Sequence, residues 1–252
     1  MDTGRLPAET RQLWLALMHE PLLRGFVLIG GTALTLRIGH RLSEDLDFAY
    51  LGVTLPTQRL ALLKKVLSTK GIRLEPIQDS VAQNAFMDAG LELADYQQNY
   101  LAHLPQGAVK LSFVCFDPHV TALLGGNDAS MLRVATLDEA FKTKVLAAAD
   151  RSKTRDWFDL YVLMSRHGYD GEDFYRVFVE AGREEVFDIA NMRLRSGKPS
   201  LTDEGYVNLL DDPPSQQMMQ NFFVAMLDQL EVDLSKAAFM ARKRMSNDDS
   251  GN

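Results

Sequence analysis

The stretch IGGTALTLRIGHRLSEDLDFAYLG, Ile29 to Gly52, decides how this chain folds. It begins where an apolar run, GFVLIG, ends in Gly30 and Gly31. TALTLRI then has the pattern of a short helix whose first turn faces the glycines, and DLDFAY resumes as a strand. The unit is strand, turn, helix, turn, strand. Asp45 and Asp47 are one residue apart on the second strand, so their carboxylates leave from the same face. Two carboxylates held together repel unless a cation sits between them, and an all-oxygen pair suits Mg²⁺, which keeps waters and substrate phosphates as its other ligands. Bare glycine backbone at a helix N-terminus offers N–H donors and the positive end of the helix dipole to a phosphate. Thr32 adds a hydroxyl, and Arg41 and Ser43 add donors in the connecting turn. A glycine pair or an Asp-x-Asp alone is an ordinary turn feature. Together, between two apolar strands, they read as a site for a metal ion and a triphosphate.

Working outward, a helix is expected from about Pro7 to Met18, with Trp14, Leu15, Leu17 and Met18 facing a core. A second helix covers PTQRLALLKKVLSTKG and stops at Gly71. Strands are expected at IRLEPI, at about Asn84 to Asp88, and at GAVKLSFVCFD. From Thr136 the chain turns helical. Thr136 and Glu139 have capping-box spacing, which starts a helix ending near Asp150. Lys144, Ala147 and Arg151 follow at i, i+3 and i+7, on one helical face or its extension. The next helix, about Asp156 to Ser165, carries Asp156 and Asp159 one turn apart and has Gly168 just past its end. Further helices follow, broken at RSGKPS and DDPPS, the last running near Gln217 to Ala241. The polar tail SNDDSGN reads as disordered.

Composition narrows the function classes. With 252 residues and 46% hydrophobic content the chain can bury a full core. The single Cys115 excludes a disulfide framework or a cysteine zinc cluster and fits a reducing compartment. The start lacks the apolar segment of a secretory signal, and no run approaches a membrane span, so we expect a cytoplasmic protein without a membrane partner. A net charge of −7 argues against coating nucleic acid by bulk electrostatics, so any such contact is local. Arg193, Arg195 and Lys198 in NMRLRSGK are the better candidate for it, ahead of the basic run FMARKRM. His40 and His119 read as turn and surface residues.

GGTALTLRIGHRLSEDLDF resembles the signature of the AbiEii-type nucleotidyltransferase toxins, members of the DNA polymerase β-like nucleotidyltransferase superfamily, with its glycine-initiated helix and Ser-x-Asp-x-Asp strand. A second block is similar too, falling here on Lys144, Ala147, Arg151, Arg155, Asp156, Asp159 and Leu160, and VKLSFVCFDP resembles the family's central strand. The likeness covers about Phe26 to Met164. It implies an α+β fold: a small mixed-sheet nucleotidyltransferase core with flanking helices (1–135), a mainly helical region completing the active site (136–245) and a disordered tail (246–252). It implies that Asp45 and Asp47 bind Mg²⁺, or Mn²⁺ in its place, and that Gly30, Gly31 and Thr32 hold the β and γ phosphates. By the same likeness Ser43 donates to phosphate or orients an aspartate, Lys144 neutralises the triphosphate, and Arg151 and Arg155 bind phosphate. Asp159, and with it Asp156, orients these cations or completes the site. The structural alternative for the second block is a salt-bridged helix pair. Many superfamily members place a third carboxylate on the central strand. Here the corresponding face offers Lys110 and Ser112, and Asp117 comes at the strand's end, so the resemblance implies that the third ligand is missing and that Asp159 compensates.

The expected activity is metal-dependent transfer of NMP from an NTP to an acceptor hydroxyl. By resemblance the acceptor is the 3′ end of tRNA, and the protein is a toxin neutralised by a cognate antitoxin. Two other readings stay open: nucleotidylation of a protein hydroxyl, and a catalytically silent module that binds nucleotide or a partner.

Overall fold

The computed structural model describes residues 3–125, 131–201, 203 and 205–248. In chain order its elements are α1 (Ala8–Leu17), β1 (Phe26–Ile29), α2 (Gly30–Ile38), β2 (Leu46–Tyr50), α3 (Thr57–Thr69), β3 (Arg73–Pro76), α4 (Ser80–Asp88), β4 (Gln97–Leu104), β5 (Gly107–Cys115), α5 (Pro118–Ala122), β6 (Arg133–Val134), α6 (Leu137–Asp150), α7 (Thr154–Arg166), α8 (Gly171–Glu180), α9 (Phe187–Ser196) and α10 (Gln216–Asp248). This is the α+β arrangement expected, with a helical C-terminal region. Among the described residues no helix is long and apolar enough to cross a membrane.

The chain forms two compact units. The first is Met1–Lys144 with Asn208–Asp211, and the second is Val145–Val207 with Asp212–Asn252. The division falls inside α6, past the capping box at Thr136 where the sequence placed a boundary. A helix start marks local hydrogen bonding, whereas compactness follows packing, and the two need not coincide.

In the first unit the strands form one mixed sheet in the order β3-β4-β5-β2-β1-β6. β2 runs parallel to β5 and β1 parallel to β6, while the remaining pairs are antiparallel. Side chains alternate between the two faces. One face carries Phe26, Phe48, Leu111, Phe113, Ala102 and Leu74, all buried, in a cluster that includes Leu13, Trp14 and Leu17 of α1 and Leu60, Leu63 and Leu67 of α3. Phe48 stacks on Phe113 at 5.6 Å between ring centroids, and Arg59 of α3 lies over the rings of Phe26 and Tyr50. The opposite face carries Asp47, Ser112, Asn99 and Lys110. The fold thus places its apolar alternation on one side and leaves a polar strip on the other.

Three expectations are corrected here. Asn84 to Asp88 is the end of helix α4, not a strand. Asp79 caps that helix, accepting from the Ala82 amide at 2.9 Å, and none of its residues is buried, so no packing constraint imposes a readable period. The strand lies farther on, at β4, where Tyr100, Ala102 and Leu104 alternate inward. Leu15 is 57% exposed and belongs to the outer side of α1, whose inner face is Thr10, Leu13, Trp14 and Leu17. At the C-terminus α10 continues through Asp248, so 246–248 are helical, and 249–252 lie outside the described residues.

The second unit is helical. α8 opens with a capping box in which the Asp170 carboxylate accepts from the Asp173 amide at 2.9 Å and Asp173 returns the bond at 3.1 Å. Phe174, Phe178 and Phe187 pack edge to face around it. Phe158 of α7 stacks on Tyr206 at 5.5 Å.

Candidate active site

The site is assembled in the first unit from the β1–α2 junction and the start of β2. β1 is buried at all four positions and ends directly in Gly30, which opens α2 at φ +71°. That value lies in the left-handed region, which glycine enters without a Cβ clash. Space makes a second demand on Gly30: a Cβ there would lie 2.9 Å from Oδ2 of Asp47. At Gly31 a Cβ would run into the Arg41 guanidinium and come 3.0 Å from the Ser43 hydroxyl. The glycine pair is therefore the surface against which one carboxylate and one guanidinium are pressed.

The N-terminus of α2 has no side-chain cap, because the residue before it is Ile29. The first N–H groups of a helix have no partner within the helix. No side chain caps them here, and an anion would satisfy them.

Five hydrogen bonds fasten the turn between α2 and β2. The Thr35 hydroxyl donates to the Arg41 carbonyl at 3.1 Å, the Leu42 amide to the Leu209 carbonyl at 3.0 Å, and the Thr10 hydroxyl to the Glu44 carbonyl at 2.7 Å. The Thr32 hydroxyl donates to the carbonyl of Asp45 and shares a 2.9 Å hydrogen bond with the Ser43 hydroxyl. Since Thr32 has one hydroxyl proton, Ser43 supplies the donor for the second of these. Thr32 and Ser43 are both buried, so their hydroxyls hold the backbone that carries Asp45. The Thr32 hydroxyl, expected to serve a phosphate, is engaged in these two bonds. Arg41, also buried, donates to the Leu42 carbonyl at 2.8 Å. Asp45 immediately precedes β2 and Asp47 is its second residue, both half-buried.

The register extends this arrangement across the sheet. Asp47 is paired with Ile29 of β1 on one side and with Ser112 of β5 on the other, and Ser112 is in turn opposite Asn99 of β4. Ser112 thus occupies the central-strand position beside Asp47. Asp117 is not part of this row; it caps α5, accepting from the amides of His119 and Val120 at 2.9 and 3.0 Å. Among the described residues no group of three or more His, Cys, Asp or Glu side chains is placed to hold a metal ion. The carboxylates of Asp45 and Asp47 are nevertheless the hard-oxygen donors that suit Mg²⁺, which takes few protein ligands and completes its octahedron with water and phosphate.

Lys144 lies on α6 and is only 5% exposed. The helix is started by the anticipated capping box: the Thr136 amide donates to Glu139 at 2.7 Å and the Glu139 amide to Thr136 at 3.2 Å. Glu139 also receives both terminal nitrogens of Arg133, at 2.7 and 2.8 Å, which ties β6 to α6.

In the second unit, Arg151 makes a two-point contact with Asp156 at 2.6 and 3.2 Å. Asp156 and Asp159 on α7 are buried, Asp159 completely, and Arg155 is half-buried. Arg151 and Asp156 thus form an ion pair within the second unit. In NMRLRSGK, the candidate nucleic-acid patch, both arginines are engaged within the second unit. Arg195 is bound to Asp228 and Glu231 of α10, the latter at 2.7 Å, and Arg193 donates to the Ala149 carbonyl. These cations join helices of the second unit.

Thr10, Thr35 and Arg37 were not singled out from the sequence. Arg37 donates to the carbonyls of Val134 and Ala135, fastening β6 to α2. A signal existed for Thr10, a polar residue on the apolar face of α1 at i, i+3, i+4 and i+7 with Leu13, Trp14 and Leu17.

Residues 12–241 match the family described as nucleotidyl transferase AbiEii toxin, type IV toxin–antitoxin system. A relative from Aquifex aeolicus (strain VF5), the uncharacterized protein aq_aa25, is 24% identical over 204 residues, which covers 73% of this chain and 88% of the relative. A crystal structure from H. pylori, provisionally described as a nucleotidyltransferase, superimposes with a TM-score of 0.52 at 19% identity. The likeness covers 94% of this chain and 99% of that one, and it is a likeness of fold.

Proposed function

Because this chain belongs to the AbiEii nucleotidyltransferase toxin family of type IV toxin–antitoxin systems, we propose that it transfers NMP from an NTP to the 3′-terminal hydroxyl of an RNA, with tRNA as the leading acceptor. Membership makes the chain a nucleotidyltransferase and implies an NTP substrate and a cognate antitoxin. The observation that carries the site assignment is the approach of Asp47 to Gly30 at an uncapped helix N-terminus. It sets a carboxylate and open amide donors at one point, which is what a metal-chelated triphosphate requires.

In this reading Asp45 and Asp47 hold Mg²⁺ or Mn²⁺, which when bound supplies Lewis-acid polarisation of the phosphate. The amides of Gly30, Gly31 and Thr32 receive the β and γ phosphates. Thr32 and Ser43 keep Asp45 in place through its backbone. Lys144 neutralises triphosphate charge, and a buried ammonium does so with little competition from water. Arg151, oriented by Asp156, and the buried Asp159 belong to the second unit. The acceptor oxygen forms a bond to the α-phosphorus, the bond from that phosphorus to the bridging oxygen breaks, pyrophosphate departs and the hydroxyl proton passes to solvent.

The test is incubation with each labelled NTP, Mg²⁺, total tRNA and, separately, cell protein. Label is expected in tRNA, abolished by chelation and by Asp47→Asn. Label in protein instead would establish the alternative acceptor. Label in neither, with NTP still raising the melting temperature, would point to the silent module.

A further inference from the structure

We propose that the acceptor lies over β5 and β4, with Ser112 and Asn99 contacting its terminal ribose and a recess beyond Asn99 taking its terminal base. This inference rests on the nucleotidyl-transfer reading above, and it names where the acceptor binds and the chemistry that recognises it. The direction of approach follows from the reaction. In a phosphoryl transfer the attacking and leaving oxygens stand roughly in line across the phosphorus. The leaving pyrophosphate belongs at the N-terminus of α2, which springs from β1. The attacking hydroxyl must then come from the other side of Asp47. In the sheet order that side is β5 followed by β4.

What lies there is a row of neutral polar side chains. Ser112 pairs with Asp47 and Asn99 pairs with Ser112, so all three leave from one face. At about 4.8 Å per strand, Ser112 stands about 5 Å and Asn99 about 10 Å from the aspartate, which spans a sugar. Ser112 is only 6% exposed. Among the described residues no side-chain hydrogen bond or ion pair engages Ser112, Asn99 or Asp47. The residue is largely buried while its hydroxyl makes no protein hydrogen bond, so the hydroxyl is open to a ligand. Hydroxyl and carboxamide groups both donate and accept, as the 2′ and 3′ hydroxyls of a ribose do.

Asn99 also lines a recess of about 350 Å³ that wraps the edge of β4, with Gln98 and Tyr100 of the opposite face on one side and Gln78, Gln83 and Gln97 among its other carboxamides. The carboxamides of Gln78, Gln83 and Gln97 too have no intramolecular hydrogen bond among the described residues. Asp79 and Glu92 line the same recess, and no Lys or Arg does, so it disfavours phosphate and suits an uncharged base edge. Lys110, two residues before Ser112 on the same face and exposed, is placed for the adjoining phosphate. Farther out the charges neutralise one another: Glu75 pairs with His103 at 2.9 Å and with Arg73 at 3.2 Å.

The test uses the full chain and a short fluorescent single-stranded RNA with a free 3′ hydroxyl, read by anisotropy, beside steady-state transfer kinetics. Ser112→Ala and Asn99→Ala are each expected to weaken RNA binding and raise the acceptor KM by about five- to tenfold, with the NTP KM and the melting temperature held. Unchanged RNA binding in both variants overturns the inference, even with transfer intact. A raised NTP KM with normal RNA binding overturns it too and assigns the row to the nucleotide. Label passing to protein, unaffected by either variant, overturns it in favour of a protein acceptor. If the wild type transfers nothing yet both variants lose RNA binding, the transfer reading fails while the RNA-end subsite stands.

Discussion

Gly30→Ala separates backbone strain from the crowding of a carboxylate. At φ +71° a Cβ puts an L-residue into the left-handed region, which costs about 1–2 kcal/mol. The same Cβ would lie 2.9 Å from Oδ2 of Asp47, closer than carbon and oxygen settle without a bond between them, so the carboxylate must turn or the helix must move. Gly71 supplies the control. Its φ is +76° and nothing lies within 4 Å of a Cβ built there, so Gly71→Ala carries the strain alone. For a chain of this size about 1–2 kcal/mol lowers the Tm by about 2–8 °C, and both variants should show a fall in that range. Only Gly30→Ala should also lose Mn²⁺ affinity, read by electron paramagnetic resonance, and lower the transfer rate about a hundredfold, the effect of a displacement near 1 Å at the reacting centre. Asp47→Asn should lose the metal with little change in Tm. Should Gly30→Ala bind Mn²⁺ and turn over as Gly71→Ala does, the contact between Asp47 and Gly30 has no part in the chemistry.

Thr32→Val removes the hydroxyl bonded to Ser43 and to the Asp45 carbonyl, and should destabilise by about 1–3 kcal/mol in denaturant titration while reducing transfer through Asp45. An unchanged midpoint would show that these bonds do not hold the turn. Arg195→Ala should leave RNA affinity as it is and lower stability by no more than about 1 kcal/mol, since its partners Asp228 and Glu231 are well exposed and solvent screens such pairs; a large loss of RNA binding would restore NMRLRSGK as a nucleic-acid contact. Burial pushes the Cys115 thiol up, and its sulfur lies 2.9 Å from the Gly52 carbonyl. Its thiolate fraction at pH 8 is therefore below that of an ordinary cysteine, so alkylation by iodoacetamide should be slower than for a model peptide and should accelerate as pH rises.

Local features are legible in the order of residues because they are decided within a few positions of the chain. Gly30 and Gly31 at a helix start, Asp45 and Asp47 one residue apart, the Thr136–Glu139 capping box and Gly168 past a helix end are all of this kind. The misread stretch at Asn84 to Asp88 fails for a related reason: a helix that buries nothing leaves no periodic trace. Side-chain partners drawn from distant segments were beyond such reading. Nothing near Arg195 in sequence announces Asp228 and Glu231, and nothing near Ser43 announces its bond to Thr32.

What the sequence by itself determined is the chemistry on offer: two carboxylates, bare amides and a lysine, in a chain whose apolar runs build a sheet between helices. Only the tertiary structure decided the register that sets Ser112 beside Asp47, joining β2 and β5 across more than fifty residues, and so carries the row on to Asn99 in the β4–β5 hairpin. Strand pairing is a long-range choice, and a slip of one residue would turn every side chain of a strand to the other face. The direction from which an acceptor can approach is therefore a property of the folded sheet.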